Sequence, residues 1–169
     1  SIGSYALQEN TTANSTVAIG YQSMQDGNTS NGNVAMGYQA MKANTTGGIS
    51  VAIGYQALLA QTTGAYNVAV GDRALATVTT ANNNTAVGTQ ALRYNTTGTQ
   101  NVAIGAFSLD ANTTGASNTG LGYNTLSSNT TASSNTAVGR NTLFTNTTGD
   151  NNTGVGKAAL YDNSTGADN

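Results

Sequence analysis

The stretch N-V-A-I-G-A-F-S-L-D-A-N-T-T-G-A-S, residues 101–117, is one copy of a repeat that decides the fold of this chain. The glycine at its fifth position recurs every 17 residues without one insertion or deletion, at Gly3, Gly20, Gly37, Gly54, Gly71, Gly88, Gly105, Gly122, Gly139 and Gly156. We number the repeat positions 1 to 17 from Asn101. Strict self-similarity at a fixed period indicates a stacked repeat architecture, so residues 1–169 form a single array of ten repeats without separate domains.

Positions 2 to 4 alternate bulky and small side chains, as in V-A-I at residues 102–104. Position 2 is Val or Thr, position 3 is Ala in seven copies, Gly in two and Ser in the first, and position 4 is always apolar and mostly β-branched. Alternation with period two is typical of a β-strand whose two faces meet different surroundings. We expect the β-branched face to lie in the core and the Ala/Gly face to pack closely against another backbone layer.

Position 9 is a second apolar column, Leu in eight copies and Met in two. We expect it to point inward as a structural ladder, which includes Leu58, Leu75, Leu92, Leu109, Leu126 and Leu143. The five or six residues around it are too few for a stable helix. The sequence therefore predicts an all-β fold, a parallel β-solenoid or β-roll of ten 17-residue coils, each with two short strands and two tight corners.

Position 1 is Asn in eight of the ten copies. Stacked asparagine side chains hydrogen-bond along a ladder and satisfy the backbone at corners, so we expect a structural role rather than ligand binding. The predicted ladder includes Asn67, Asn84, Asn101, Asn118, Asn135 and Asn152.

The composition excludes several classes of function. Asn, Thr and Gly make up 73 of the 169 residues, while only five residues are Lys or Arg and seven are Asp or Glu. Five dispersed cations make no basic patch for nucleic acid, and no apolar run approaches the ~20 residues of a membrane span. The chain has no His or Cys, and its seven acids do not all share one repeat position or form a close pair, so we expect no enzyme, metal site or cofactor.

The tetrapeptide N-T-T-G at positions 12 to 15 has three interpretations. It begins an N-x-[ST] acceptor in seven copies, and the threonines are also candidates for O-linked sugar. The candidate glycosylation sites are Asn10, Asn44, Asn95, Asn112, Asn129, Asn146, Asn163, Thr46, Thr97, Thr114 and Thr148. A threonine array also suggests ice binding, although only one of two adjacent threonines faces outward in a strand. The simplest interpretation is an exposed turn that recurs because the coil recurs.

Position 6 is often aromatic, at Tyr21, Tyr38, Tyr55 and Tyr123. Such tyrosines suit either stacking on sugar rings or shielding of a corner or an interchain seam, and the second role is the commoner one for half-buried rings.

The motifs N-V-A-I-G at 101–105 and N-T-A-V-G at 135–139 resemble the head repeats of trimeric autotransporter adhesins, the YadA-like heads. The longer unit, through N-T-T-G, is similar to repeats of bacterial surface fibres and phage tail fibres. The resemblance implies a left-handed parallel β-roll, commonly three chains about one axis, that forms a rigid extracellular head or stalk.

We therefore expect a non-enzymatic structural or adhesive fibre segment that is extracellular, on a cell surface, or part of a virion fibre. Its expected partners are further copies of itself, as a homotrimer or an end-to-end filament, and cell-surface carbohydrate or matrix. One alternative is a receptor- or sugar-binding segment of a phage tail fibre. A second alternative is an ice-binding solenoid.

Overall fold

The computed structural model describes residues 1–169 and contains one parallel sheet of nine strands in sequence order. Each strand is three residues long, covers positions 2 to 4 and pairs with the next strand at the same three positions. The strands are β1 Val17–Ile19, β2 Val34–Met36, β3 Val51–Ile53, β4 Val68–Val70, β5 Thr85–Val87, β6 Val102–Ile104, β7 Thr119–Leu121, β8 Thr136–Val138 and β9 Thr153–Val155. The predicted all-β solenoid of 17-residue coils is confirmed.

Each coil has one strand, so the prediction of two strands per coil is wrong. Positions 5 to 11 form a tight series of turns instead, as in residues 88–94. Backbone hydrogen bonds still join neighbouring coils there, because the Leu92 amide donates to the Ser108 carbonyl at 3.0 Å. The second apolar column therefore lies on a turn that is stacked by backbone hydrogen bonds outside the sheet.

The turn explains why position 9 is always Leu or Met. This residue has a positive φ in every coil, for example 51° at Leu92 and 49° at Met24. β-Branched side chains are strained in that left-handed region, whereas Leu and Met tolerate it better.

The glycine at position 5 is required by both backbone conformation and space. Gly71 has φ +136°, and a Cβ there would lie 2.5 Å from the carbonyl oxygen of Gly88 in the next coil.

The orientation of the strands is the reverse of the predicted one. The side chains at position 3 point into the coil, and Ala86 and Ala103 are fully buried. The bulky side chains at positions 2 and 4 point outward, and Ile53 and Ile104 are 38% and 39% exposed. The reason is the width of the coil, because the alanine at position 3 packs directly against the column of Leu side chains within the same narrow core.

Size compensation in the core supports this packing. Two coils have Gly at position 3, and both Gly residues lie beside a hydroxyl-bearing residue at position 8. A Cβ at Gly120 would lie 2.5 Å from Ser108 Oγ, and one at Gly154 would lie 2.7 Å from Thr142 Cγ2. Gly at these two copies therefore leaves room for the neighbouring Ser or Thr side chain.

Candidate functional site

The outer face of the sheet, formed by positions 2 and 4, is the first candidate site, and position 6 lies beside it in the turn that follows each strand. Position 4 is apolar in all ten repeats although it faces outward, and Met36 and Leu121 are 38% and 44% exposed. Positions 2 and 4 carry no charge in any coil. A column of exposed and half-buried apolar side chains along one face is typical of an interaction surface.

The tyrosines of position 6 stack on one another along this face. The ring centroids of Tyr21 and Tyr38 are 5.5 Å apart, and those of Tyr38 and Tyr55 are 5.1 Å apart, with nearly parallel planes. Tyr5 meets Tyr21 edge to face, and the Arg73 guanidinium lies 5.5 Å from the Tyr55 centroid. Both faces of Tyr38 are thus covered by neighbouring rings, so sugar stacking, which needs a free ring face, is not available to it.

Four charged residues lie in the turn beside the outer face, namely Asp72, Arg73, Arg140 and Lys157. Asp72 and Arg73 occupy positions 6 and 7, and their side chains approach to 3.7 Å. Side chains one residue apart point to opposite sides of a strand, but this pair lies in the turn that follows β4, where that rule does not apply.

The asparagines of position 12 lie inside the solenoid. Asn44, Asn95, Asn112, Asn129 and Asn146 are fully buried, while Asn10 and Asn163 at the two terminal coils are partly buried. The Asn112 Nδ2 donates to the Gly115 carbonyl at 3.0 Å and to Asn95 Oδ1 in the preceding coil at 2.9 Å. The expectation of exposed asparagines at this corner is wrong, because the side chain closes the turn from within. A sugar on these five buried nitrogens does not fit the folded chain.

The asparagines of position 1 form a second internal ladder, and all six predicted members are fully buried. The Asn84 Oδ1 accepts the backbone N–H of Asn101 at 3.0 Å, and its Nδ2 donates to the Gly98 carbonyl at 3.0 Å. The Gly98 carbonyl also accepts from Asn95 Nδ2 at 2.8 Å. Two asparagine ladders therefore meet at the carbonyl of position 15, which accounts for the recurrence of both asparagines.

The two threonines of N-T-T-G have different surroundings. At position 13 the hydroxyl donates to the backbone of the next coil, as Thr113 does to the Thr130 carbonyl at 2.9 Å. At position 14 the side chain is exposed in every coil, and the predicted sites Thr46, Thr97, Thr114 and Thr148 all belong to this column. Position 14 is Thr in all ten repeats, so the corner presents a single file of threonines.

Irregularities occur where a coil departs from the repeat. Val78 replaces Asn at position 12, and Gln61 in the preceding coil extends the ladder by donating to Asn44 Oδ1 at 3.3 Å. In another coil the asparagine moves one residue along, to Asn28, whose Oδ1 accepts the Ser30 amide at 3.0 Å. The ladder thus accepts single substitutions when a neighbour supplies the polar atoms.

A feature that the sequence patterns did not single out lies at position 17. This corner is polar or Gly in eight repeats, but Ile49 and Tyr66 occupy it in two neighbouring coils and are 60% and 57% exposed. The signal was available in the sequence, as two large apolar residues in a column that is otherwise small or polar.

In comparisons with known proteins, no family model, curated protein or solved structure matches the chain. The structure contains no pocket, no cluster of three or more side chains that suit a metal ion, and no helix of the length and apolarity that a bilayer crossing requires.

Proposed function

We propose that the chain is a rigid, non-enzymatic segment of an extracellular fibre, and that copies of it pack side by side through the outer face. The single observation that carries this proposal is the apolar character of position 4 in all ten repeats, despite the outward direction of its side chains. Single exposed apolar side chains are common, but a column of ten along one face is typical of a surface that a partner covers.

The size of the face is compatible with a stable contact. Ten coils at ~4.8 Å spacing and strands of three residues give a surface of roughly 48 by 10 Å, on the order of 500 Å² for each copy. Two such faces bury on the order of 1,000 Å², the lower limit for a specific interface. The resemblance to YadA-like heads favours three copies, in which each chain contributes to two contacts, and it also supports the extracellular placement.

Glycosylation is proposed only for the exposed threonines. Thr46, Thr97, Thr114 and Thr148 have accessible hydroxyls that make no hydrogen bond within the chain, so O-linked sugar at these side chains is compatible with the fold. Such sugars would form a line along the rod and add solubility to a chain with few charges.

Sedimentation of the purified chain tests the self-association. We expect an oligomer that dissociates in the double variant Met36→Lys/Ile53→Lys, because two charges would be buried in an apolar contact. Thr63→Lys, on the exposed threonine column, is the matched control and leaves the oligomer intact. A wild-type chain that sediments as a folded monomer at all concentrations contradicts the proposal.

A further inference from the structure

Ile49 and Tyr66 form the most exceptional exposed patch of the solenoid. Position 17 has a positive φ in every coil, and Ile49, with φ 53°, is the only β-branched residue among the 29 non-glycine residues with positive φ. A β-branched side chain in this region is strained. The Ile49 side chain is 60% exposed and contributes little to the core, so core packing does not compensate for this strain.

Tyr66 differs from the stacked tyrosines of the outer face. It takes part in no aromatic or cation–π pair, whereas Tyr21, Tyr38 and Tyr55 are covered by one another or by Arg73. Its backbone is fixed, because the Tyr66 amide donates to the Gly48 carbonyl at 3.2 Å. The chain thus holds an exposed phenol ring at a defined place with no ring partner of its own.

The next two coils place amides in the same column. Asn83 and Gln100 follow Tyr66 at position 17, both are exposed, and neither side chain makes a hydrogen bond within the chain. Their backbone amides donate to the carbonyls of Ala65 and Asn82, so the column continues in register. Four coils therefore present Ile49, Tyr66, Asn83 and Gln100 in a row that spans about 14 Å at the usual strand spacing.

We propose that this row is a binding site for a neutral oligosaccharide. An aromatic ring with an open face packs against the apolar face of a pyranose. Primary amides both donate and accept hydrogen bonds, as sugar hydroxyls require. The four side chains carry no charge, which favours a neutral sugar over an acidic one. The coil spacing is comparable with the length of one pyranose unit in an extended chain, so successive units meet successive coils.

Ligand-observed saturation-transfer NMR with cellotetraose, chitotetraose and mannotetraose as probes tests this site. We expect at least one probe to bind the wild-type chain and Tyr66→Ser to weaken it by about five- to tenfold, the usual contribution of an aromatic contact. Ser is the natural residue of this position at Ser117 and Ser134, so the variant is compatible with the coil. Tyr66→Phe keeps the ring and retains most of the binding.

Tyr94→Ser is the matched control, because Tyr94 is 46% exposed but has the Arg93 guanidinium 4.8 Å from its centroid. We expect this variant to bind the probe as the wild type does. Binding by no probe, or equal loss in both variants, overturns the proposal. A change in the sedimentation of Tyr66→Ser also overturns it, because it would assign the patch to contact between copies, whereas the self-association of the outer face is tested separately at Met36 and Ile53.

Discussion

The two faces of the single sheet carry different side chains and differ in burial. The inner face consists of Ala or Gly at position 3, fully buried against the Leu column, as at Ala86 and Leu92. The outer face has the larger apolar residues, such as Val87, and stays partly exposed. In a coil this narrow the inner face of the sheet is limited by space, so the larger side chains of each strand lie on the outer face. Under the proposed packing, neighbouring copies would bury them.

The largest effect is expected on the inner side of this comparison. Leu92→Ala removes a fully buried side chain from a stack that is only one Leu wide, and we expect it to lower the free energy of unfolding by about 2–5 kcal/mol. Val87→Ala, on the outer face of the same coil, should cost about 1 kcal/mol or less in the dissociated chain. Urea unfolding measures both, and equal losses would contradict the assignment of the faces.

Enlarging the inner side chain is the next test. Ala86→Ile places three additional carbons in a closed core, and we expect a loss of about 1–3 kcal/mol from overpacking. Val87→Ile adds one carbon on the open side and should leave the midpoint of thermal unfolding nearly unchanged. Stabilisation by Ala86→Ile would contradict the close packing of position 3 against the Leu column, because it would require unfilled space between them.

The asparagine–threonine corner offers a similar pair. Asn112→Ala leaves the Asn95 Oδ1 and the Asn129 Nδ2 without their partner in the ladder, so we expect a loss of about 1–3 kcal/mol. Thr114→Ala removes an exposed hydroxyl and should stay within about 0.5 kcal/mol of the wild type. Chemical denaturation of the two variants measures the difference, and a costly Thr114→Ala would indicate a structural role for the outer threonine.

The smallest expected effect concerns Asp110, a half-buried acid on the turn of its coil. Burial raises the pKa of the Asp110 carboxyl above its ordinary value, and backbone hydrogen bonds and Arg93 offset part of this rise. The folded chain therefore holds this proton more tightly than the unfolded chain, and stability falls as the pH rises from the ordinary pKa through the raised one.

We accordingly expect Asp110→Asn to raise the midpoint of thermal unfolding slightly at neutral pH, and the gain to vanish when the pH falls below the ordinary carboxyl range. Asp162→Asn, at an exposed position, is the control without such a gain. A gain for Asp110→Asn that grew toward acid pH would contradict the sign of this effect.

Much of this architecture could be predicted from spacing alone. The 17-residue period fixes the coil, and the column of Leu58, Leu75 and Leu92 identifies the interior. Alternation in V-A-I indicates a strand with two unlike faces. The pattern is the same whichever face is buried, so it does not identify the inner face. The usual preference for bulky side chains in the core led to the wrong face, because the width of the coil is set by the turn at positions 5 to 11.

At the N-T-T-G corner, the local motif likewise does not determine which side chain is buried. N-T-T-G is both an acceptor sequence and a turn, and only the hydrogen bond from Asn112 Nδ2 to the Gly115 carbonyl shows that its asparagine is internal. The row at Ile49 and Tyr66 was visible in the sequence as a departure from the column. Its meaning depends on the exposure of Tyr66 and on the absence of an aromatic or cationic partner for its ring, which a linear pattern does not contain.

Thiol labelling tests the orientation of the strand most directly, because the chain has no cysteine of its own. Ala86→Cys and Val87→Cys are neighbours in β5, and their reaction with a maleimide reagent is followed at a dilution where sedimentation shows single chains. The orientation described here predicts rapid labelling of Val87→Cys and protection of Ala86→Cys until the chain is unfolded. Rapid labelling of Ala86→Cys with protection of Val87→Cys would contradict it.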